Sequence, residues 1–464
     1  MRASIDKESL RALADIVGPQ RLLSSTEETE RYARDENPTL FARPEAVALV
    51  RSAGEIASIL KLANRKRFPV VPRGAGTGLT GGALAVRGGL IVSLERMRRL
   101  REIDRENLMA TAEPGIVTGN LHAAVEAQGL FYPPDPASSD RCSLGGNIAE
   151  DAGGPRAVKY GVTRDYVRGV TAVLPEGSIV SYGGKLMKNV TGYNLLHLLL
   201  GSEGTLGIVT EATVSLLPLP RLRRAILAVF PASETAVAVV TRLLIGGARP
   251  AAIEFLDSTC LRIAREVMPE NALSPAADAQ LLIEVDGDDE RAVRRQAREV
   301  ESICRKAGAR DLRPARNDGE RERLWAVRRK MREALKTRSP FIVGQDVVVP
   351  RTAVAALVRG IGRIGKEARL EIACFGHAGD GNIHVNFLKC DRPAREWKRA
   401  LDRATREVFS LAVKLGGTIS GEHGIGITKK KYLPLALNPA AIRAMRDLKR
   451  ALDPNNILNP GKIF

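Results

Sequence analysis

Short β-branched runs broken by glycine and proline clusters dominate the first part of the chain: residues 68–71, 90–94, 169–174 and 207–217 read as strands. The opening stretch MRASIDKESLRALADIVG has the spacing of an amphipathic helix and lacks the charged-then-apolar layout of a secretory leader. From Arg221 onward the pattern changes. Strands at 225–230, 251–256 and 280–285 alternate with long arginine-rich helical stretches, as in an α+β sheet covered by helices. The break falls near residues 218–220, which predicts one domain over 1–220, with its core at about 40–220, and a second over 221–464. No internal repeat or low-complexity tract interrupts either part.

Composition narrows the class. With 464 residues, 44% hydrophobic and 27% charged, the chain can bury more than one core. No run reaches the length of a membrane span, so a soluble, cytoplasmic protein is expected, at most peripheral to a membrane through a redox partner. The five cysteines (142, 260, 304, 374 and 390) are odd in number and scattered without a CxxC, which predicts neither a disulfide framework nor an iron–sulfur cluster of its own. The net charge of +18 is spread along the chain, and aromatics make up only 4%. A nucleic-acid surface is not expected from that pattern; an acidic protein partner is compatible with it.

The first chemical signal is a glycine loop. After FPVVP comes Arg73-Gly74-Ala75-Gly76-Thr77-Gly78-Leu79-Thr80-Gly81-Gly82, in which Gly76, Gly78 and Gly81 satisfy GxGxxG. A Rossmann unit needs a helix next, yet another strand begins by about Gly89. What remains is a turn whose backbone N–H groups can cradle an anion such as a pyrophosphate. Two further stretches, PPDPASS followed by SLGGNIA at 133–149 and GSEGTLGIV at 201–209, point to one elongated, phosphate-containing ligand.

These segments, PRGAGTGLTGG, PPDPASSDRCSLGGNIAEDAGG and GSEGTLGIVTEATVSLLP, resemble the PCMH-type FAD-binding domain of the vanillyl-alcohol oxidase superfamily. The resemblance implies an α+β protein: a two-part FAD-binding domain, then a cap domain with an antiparallel sheet covered by helices, and a C-terminal tail returning to the FAD domain. It assigns FAD to Pro72, Arg73, Gly74, Ala75, Gly76, Thr77, Gly78, Leu79 and Thr80; to Pro134, Asp135 and Ser139; and to Ser143, Gly145, Gly146, Asn147 and Gly153. Tyr160, Gly161, Glu203, Gly204, Gly207, Ile208, Val209 and Asn459 complete the set. No histidine lies in these loops, and the only cysteine is Cys142, so a noncovalent flavin is expected.

Three of the five histidines fall in two C-terminal motifs, GHAGDGNIHVN at 376–386 and GEHGIG at 421–426. The first reads as a hairpin with Asp380-Gly381 as a two-residue turn, which would set His377 opposite His384. Directly opposed residues have Cβ atoms about 4.5–5.5 Å apart, close enough for two imidazoles to share one ion, with Glu422 as a third ligand. A hydrogen-bonded or stacked histidine pair without metal satisfies the same pattern. Period-two alternation puts Asn386 on the face of His384. Glu422 and His423 are adjacent and flanked by glycine, and His423 is the candidate proton acceptor, since an unperturbed imidazole titrates near neutrality.

A helix is expected over 320–335, where Leu324, Arg328, Met331 and Leu335 share one stripe. An arginine on a buried stripe needs a planar anionic partner, either a substrate carboxylate or a protein carboxylate.

GHAGDGNIHVNF, SGEHGIGITKKKYL and the closing LDPNNILNPGKIF resemble the FAD-linked D-lactate, D-2-hydroxyglutarate and glycolate dehydrogenases, so the similarity covers nearly the whole chain. It implies a divalent metal, zinc or manganese, on His377, His384 and Glu422, with His423 as base. Asn386 and Arg328 would hold the substrate, with Arg332 beside them. Hydroxyglutarate-specific members carry a threonine and a lysine where this chain has Arg332 and Gly344, which disfavours a second substrate carboxylate. The expected reaction is oxidation of a small D-2-hydroxy acid to the 2-oxo acid. Arg328 and the metal orient the acid, His423 takes the hydroxyl proton, and hydride passes from Cα to flavin N5. Re-oxidation would need an acceptor: an iron–sulfur subunit, an electron-transfer flavoprotein, a cytochrome, a quinone or dioxygen. A homodimer is a candidate assembly. The alternative is a noncatalytic flavin subunit of a larger glycolate-oxidase-like complex, which should lack the histidines; an aromatic-alcohol oxidase would instead carry tyrosine-rich site motifs.

Overall fold

The computed structural model describes residues 4–268 and 278–464. They divide into two compact units: Met1–Gly153, Val162–Leu219 and Glu422–Phe464 form the first, Gly154–Gly161 and Pro220–Gly421 the second. The sequence-based division at 220/221 therefore needs one correction, since residues 154–161 belong to the second unit. The chain rejoins the first at Glu422, where the returning C-terminal tail implied by the resemblance begins.

The first unit holds two larger sheets and one strand pair. Strands β1 (Leu22–Leu23), β2 (Ala46–Leu49), β3 (Val70–Arg73) and β4 (Leu90–Ser93) take the order β1-β2-β4-β3, with β2 and β3 both parallel to β4. The helix Ala53–Lys66, capped by Ser52 on the Glu55 N–H, buries Ile56, Ile59, Leu60 and Ala63. These fall at i, i+3, i+4 and i+7, so one stripe meets Leu90 and Val92 in a common core. Between β3 and β4 the chain makes no helix; the connection is the glycine loop itself, and a Rossmann unit is absent there as expected. The second sheet, β5 (Leu100–Asp104), β6 (Met109–Ala112), β8 (Val167–Val173), β9 (Ile179–Gly183) and β10 (Ile208–Ser215), is antiparallel with order β5-β6-β10-β8-β9. Two short strands, β7 (Leu130–Phe131) and β11 (Leu217–Pro218), pair separately.

The second unit is built on one antiparallel sheet of seven strands: β12 (Leu222–Phe230), β13 (Ala252–Leu256), β14 (Ala279–Gly287), β15 (Asp311–Pro314), β16 (Ile342–Val348), β17 (Glu371–His377) and β18 (Asn382–Leu388). Their order is β15-β12-β14-β13-β17-β18-β16. Helices Ser233–Ile245, Glu290–Lys306, Val354–Ala368 and Ala394–Lys414 contact one another in series and form one layer. Ser258–Val267, Asp318–Arg329 and Met331–Arg338 lie on the opposite face. Where one helix over 320–335 was expected, the chain breaks at Lys330 (ψ 1°), which lets Met331, Ala334 and Leu335 turn into the core under Leu256 and Phe375.

Alternation separates the two faces of this sheet. Ile253, Phe255, Ile283, Ile383, Val385 and Phe387 share one side, and Glu254, His377, Asn382, His384, Asp346 and Asn386 the other. The polar face is where chemistry can occur.

Candidate active site

The β17–β18 hairpin carries the histidines in a register different from the expected one. His377 pairs with Asn382 and His384 with Phe375, so the connection is four residues, 378–381, and not the two-residue Asp380-Gly381 turn. The Gly379 N–H is taken by Ile253 O at 3.3 Å on the neighbouring strand, and the Asp380 and Gly381 N–H groups both turn back to His377 O at 3.2 Å. These bonds end the ladder at His377. The shift moves each partner by two positions, so the faces are preserved and the histidines become diagonal neighbours. Their rings lie 5.2 Å apart at 86°.

His377 Nδ1 is 2.6 Å from Glu254 Oε1 on β13, its register partner. The second oxygen of Glu254 pairs with Arg328 Nε at 2.6 Å. Glu254 is 1% exposed. Burial alone would raise its carboxyl, but the Arg328 guanidinium and the His377 ring hold it below its ordinary value. Arg328, buried on the helix Asp318–Arg329, stacks its guanidinium over Phe375 at 4.7 Å. The buried-stripe argument for Arg328 thus meets a protein carboxylate, through its Nε edge. One turn earlier on that helix, Trp325 Nε1 donates to buried Glu284 at 2.7 Å and fixes the helix over the sheet. Asn386 Nδ2 donates to Ala373 O at 3.3 Å, and Gly344 lies opposite Asn386 on β16. Asp346, opposite His384, is fully buried and accepts the Gly421 N–H at 2.7 Å. Arg332 is half-buried at the start of the next helix.

In the first unit the glycine loops meet one another. A Cβ at Gly74 would lie 2.4 Å from Ser143 Oγ, and one at Gly204 would lie 2.6 Å from Pro72 Cγ, whereas Gly78 faces open space within 4 Å. Ser143 caps the helix Leu144–Glu150 on the Gly146 N–H; the Glu203 N–H reaches Ala149 O at 2.8 Å. Asn459 Nδ2 donates to Gly82 O at 3.0 Å and to Glu203 O at 2.7 Å. Pro134 O is tied to His122 Nε2 at 2.9 Å, and Ser139 O accepts the Gly119 N–H at 2.7 Å. Asn147 Nδ2 donates to Thr118 Oγ1 at 2.7 Å. Several of the residues assigned to FAD therefore act as braces. The Arg73 guanidinium folds back against Gly76, where a Cβ would lie 2.1 Å from its Nη2, and donates to Arg34 O beside Asp35 and Tyr32. Tyr160 and Gly161 stand in the other unit, where the Tyr160 hydroxyl donates to Asp286 at 2.8 Å.

The GEHGIG loop is fastened to the same first-unit glycine loops. Glu203 accepts the Ile425 and Gly426 N–H groups, each at 2.7 Å, and Thr80 Oγ1 donates to His423 O at 3.2 Å. Burial pushes the Glu203 carboxyl up, against the pull of those N–H groups and of the Lys462 and Lys429 ammonium groups. Lys462, held by Leu84 O and Asn459 Oδ1, is itself pushed down to about 8 by burial. His423 Nε2 is 3.9 Å from Glu422 Oε1, and both side chains keep about a fifth of their surface exposed.

Sequence reasoning had not singled out Glu254, Asp346, Trp325, Glu284 or His122. Glu254 was detectable as the one charged residue in the apolar run AIEFL.

Braced, side-chain-poor loops beside a partly buried histidine, and a buried carboxylate joining histidine to arginine, mark a two-unit enzyme suited to a cofactor. The chain belongs to the FAD-linked oxidases. The family described as FAD linked oxidases, C-terminal domain, matches residues 219–463, and the FAD binding domain family matches 44–183. It is 42% identical to glycolate oxidase subunit GlcD of Bacillus subtilis (strain 168) over 460 residues, 99% of this chain and 97% of that protein. It is 37% identical to D-lactate dehydrogenase of Anaerostipes hadrus, across 96% of this chain and 95% of that protein. In fold it is similar to p-cresol methylhydroxylase, with a TM-score of 0.82 at 17% identity over 100% of this chain and 98% of that one. The chain is an FAD-dependent oxidoreductase. Among the described residues no helix is long and apolar enough to cross a membrane.

Proposed function

We propose that this enzyme oxidises a small D-2-hydroxy acid, glycolate, D-lactate or a similar monocarboxylate, to the 2-oxo acid. The observation that carries this reading is Glu254. One buried carboxylate grips a histidine whose opposite ring nitrogen suits a cation, and an arginine whose outer edge suits a carboxylate. Relatives named for glycolate and for D-lactate agree with that chemistry.

When bound, FAD supplies the two-electron acceptor, and a divalent cation, zinc or manganese, acidifies the substrate hydroxyl. The paired rings of His377 and His384 fit such a cation, and Glu422 is the proposed third ligand. Arg328 presents its Nη edge to the substrate carboxylate, with Asn386 and Arg332 as further contacts. His423 accepts the hydroxyl proton at a ring nitrogen, and the Cα hydrogen leaves with its electron pair. Gly344 offers no cation beside Asn386, and a Cβ there would already lie 3.2 Å from Asn386 Oδ1, which favours a monocarboxylate over hydroxyglutarate.

The flavin is proposed to be noncovalent. The Cys142 thiol is buried and donates to Thr118 Oγ1, and burial pushes it above its ordinary value, which suppresses the thiolate. The relative's designation as a subunit favours a protein acceptor for re-oxidation.

The test is anaerobic mixing of the purified, metal-replete flavoprotein with glycolate, D-lactate, L-lactate and D-2-hydroxyglutarate, read as bleaching of the flavin band. Glycolate or a D-monocarboxylate should bleach it; a bound flavin left oxidised by every acid refutes the proposal.

A further inference from the structure

We infer that Glu254 is the positioning residue that couples the cation-binding and carboxylate-binding parts of this site, an inference that rests on the reading just given. It sits on β13 between Ile253 and Phe255, whose side chains enter the opposite face of the sheet. Its two oxygens face different partners, Oε1 in a hydrogen bond with His377 Nδ1 and Oε2 in an ion pair with Arg328 Nε, each at 2.6 Å. Register pairing with His377 makes the first contact a property of the sheet itself.

Both cation-side consequences follow from an ionised carboxylate. An acceptor at Nδ1 puts the ring proton there and leaves Nε2 with its lone pair, the tautomer a metal requires. The same contact fixes the plane of the ring. On the other side, the Nε contact and the Phe375 stack at 4.7 Å fix the guanidinium plane from two directions. Only the outer Nη edge then remains to meet a planar anion. A buried ion triad adds little stability that an apolar set of equal volume would not match. Orientation of its two partners is the property that such a set could not supply.

The test uses the full flavoprotein and Zn2+ itself as probe, titrated against a chelator, with KM for the active hydroxy acid as a second readout. Four variants are needed: Glu254→Ala, Glu254→Gln, the double variant Glu254→Ala with Arg328→Met, and His377→Ala. Glu254→Ala should weaken Zn2+ binding by about 10–100-fold, the range expected for loss of a group that orients a metal ligand, and should raise KM. The double variant leaves no buried guanidinium unpaired, so it folds even if Glu254→Ala does not, and it should show the same loss of Zn2+ affinity. Glu254→Gln still offers His377 Nδ1 one acceptor and should lose less than Glu254→Ala. Zn2+ binding abolished in His377→Ala but unchanged in the double variant overturns the inference and leaves the metal-site reading standing. Zn2+ taken up alike by wild type and His377→Ala overturns the metal-site reading, and the inference falls with it.

Discussion

Glu203 is the residue whose removal tests how the His423 loop is held. Its two oxygens accept the N–H groups of Ile425 and Gly426 at 2.7 Å each, and the carboxylate is 6% exposed. Hydrogen bonds to a charged group contribute about 1.5–3 kcal/mol each, so Glu203→Ala should weaken the closed loop by about 3–6 kcal/mol. Water entering the cavity recovers part of that, and about 3 kcal/mol is a reasonable floor. At tenfold per 1.4 kcal/mol, the floor corresponds to roughly two orders of magnitude in local opening. Hydrogen exchange reads this directly: a peptide spanning 422–428 should lose about that much protection, while peptides from β12 and β14 in the other unit should not change. Glu203→Gln keeps one acceptor and turns an amide NH2 toward the other N–H, so it should fall between. Wild-type protection at Ile425 and Gly426 in Glu203→Ala would refute the argument, because Glu203 is the acceptor of both N–H groups.

Two further outcomes follow from the same geometry. Asp257 caps the helix Ser258–Val267 on the Cys260 N–H and accepts the Cys374 N–H at 2.7 Å; burial pushes its carboxyl up to about 6. A raised carboxyl binds its proton more tightly folded than unfolded, so its contribution to stability is lost as pH rises from about 4 to about 6, by about 3 kcal/mol in all. Urea unfolding should show wild type gaining on Asp257→Asn at pH 4 relative to pH 7; an unchanged difference would sink the assignment. Gly204 has φ +64°, and a Cβ there would lie 2.6 Å from Pro72 Cγ, so Gly204→Ala should strain the meeting of two of the loops proposed to hold FAD. The measurement is FAD retained after gel filtration, with full occupancy as the contrary result.

Much of the first unit was legible because glycine is chemically specific. Its three loops had to be close-packed or open, and Gly74, Gly78 and Gly204 show both. The histidine hairpin was legible in kind but not in register. Asp380-Gly381 signals a turn, but the length of that turn was decided by Ile253 O, which draws in the Gly379 N–H from another strand. Local sequence carries no trace of that bond. Arg328 was correctly placed on a buried face and its need for a carboxylate was foreseen, while the carboxylate itself lies 74 positions earlier (328 minus 254) on a different strand. Tyr160 crossed the expected boundary, and the point at which the tail returns, Glu422, was not legible, because pattern changes mark where a sheet begins and not which unit a segment joins.

The alternation along β13, β17 and β18 has a consequence for how such an enzyme can change over time. On β18 the two faces separate cleanly, Ile383, Val385 and Phe387 on one and Asn382, His384 and Asn386 on the other, whereas on β13 and β17 the polar face also carries the core residues Leu256, Ala373 and Phe375. Replacing Ile383 or Val385 puts the sheet at risk, whereas replacing Asn386, one step along, should change what the proposed site presents to its substrate. A saturation library over 382–387 should therefore separate into two phenotypes with a period of two. New specificities in this scaffold can then arise from single substitutions on one face, inherited on a core that need not be redesigned.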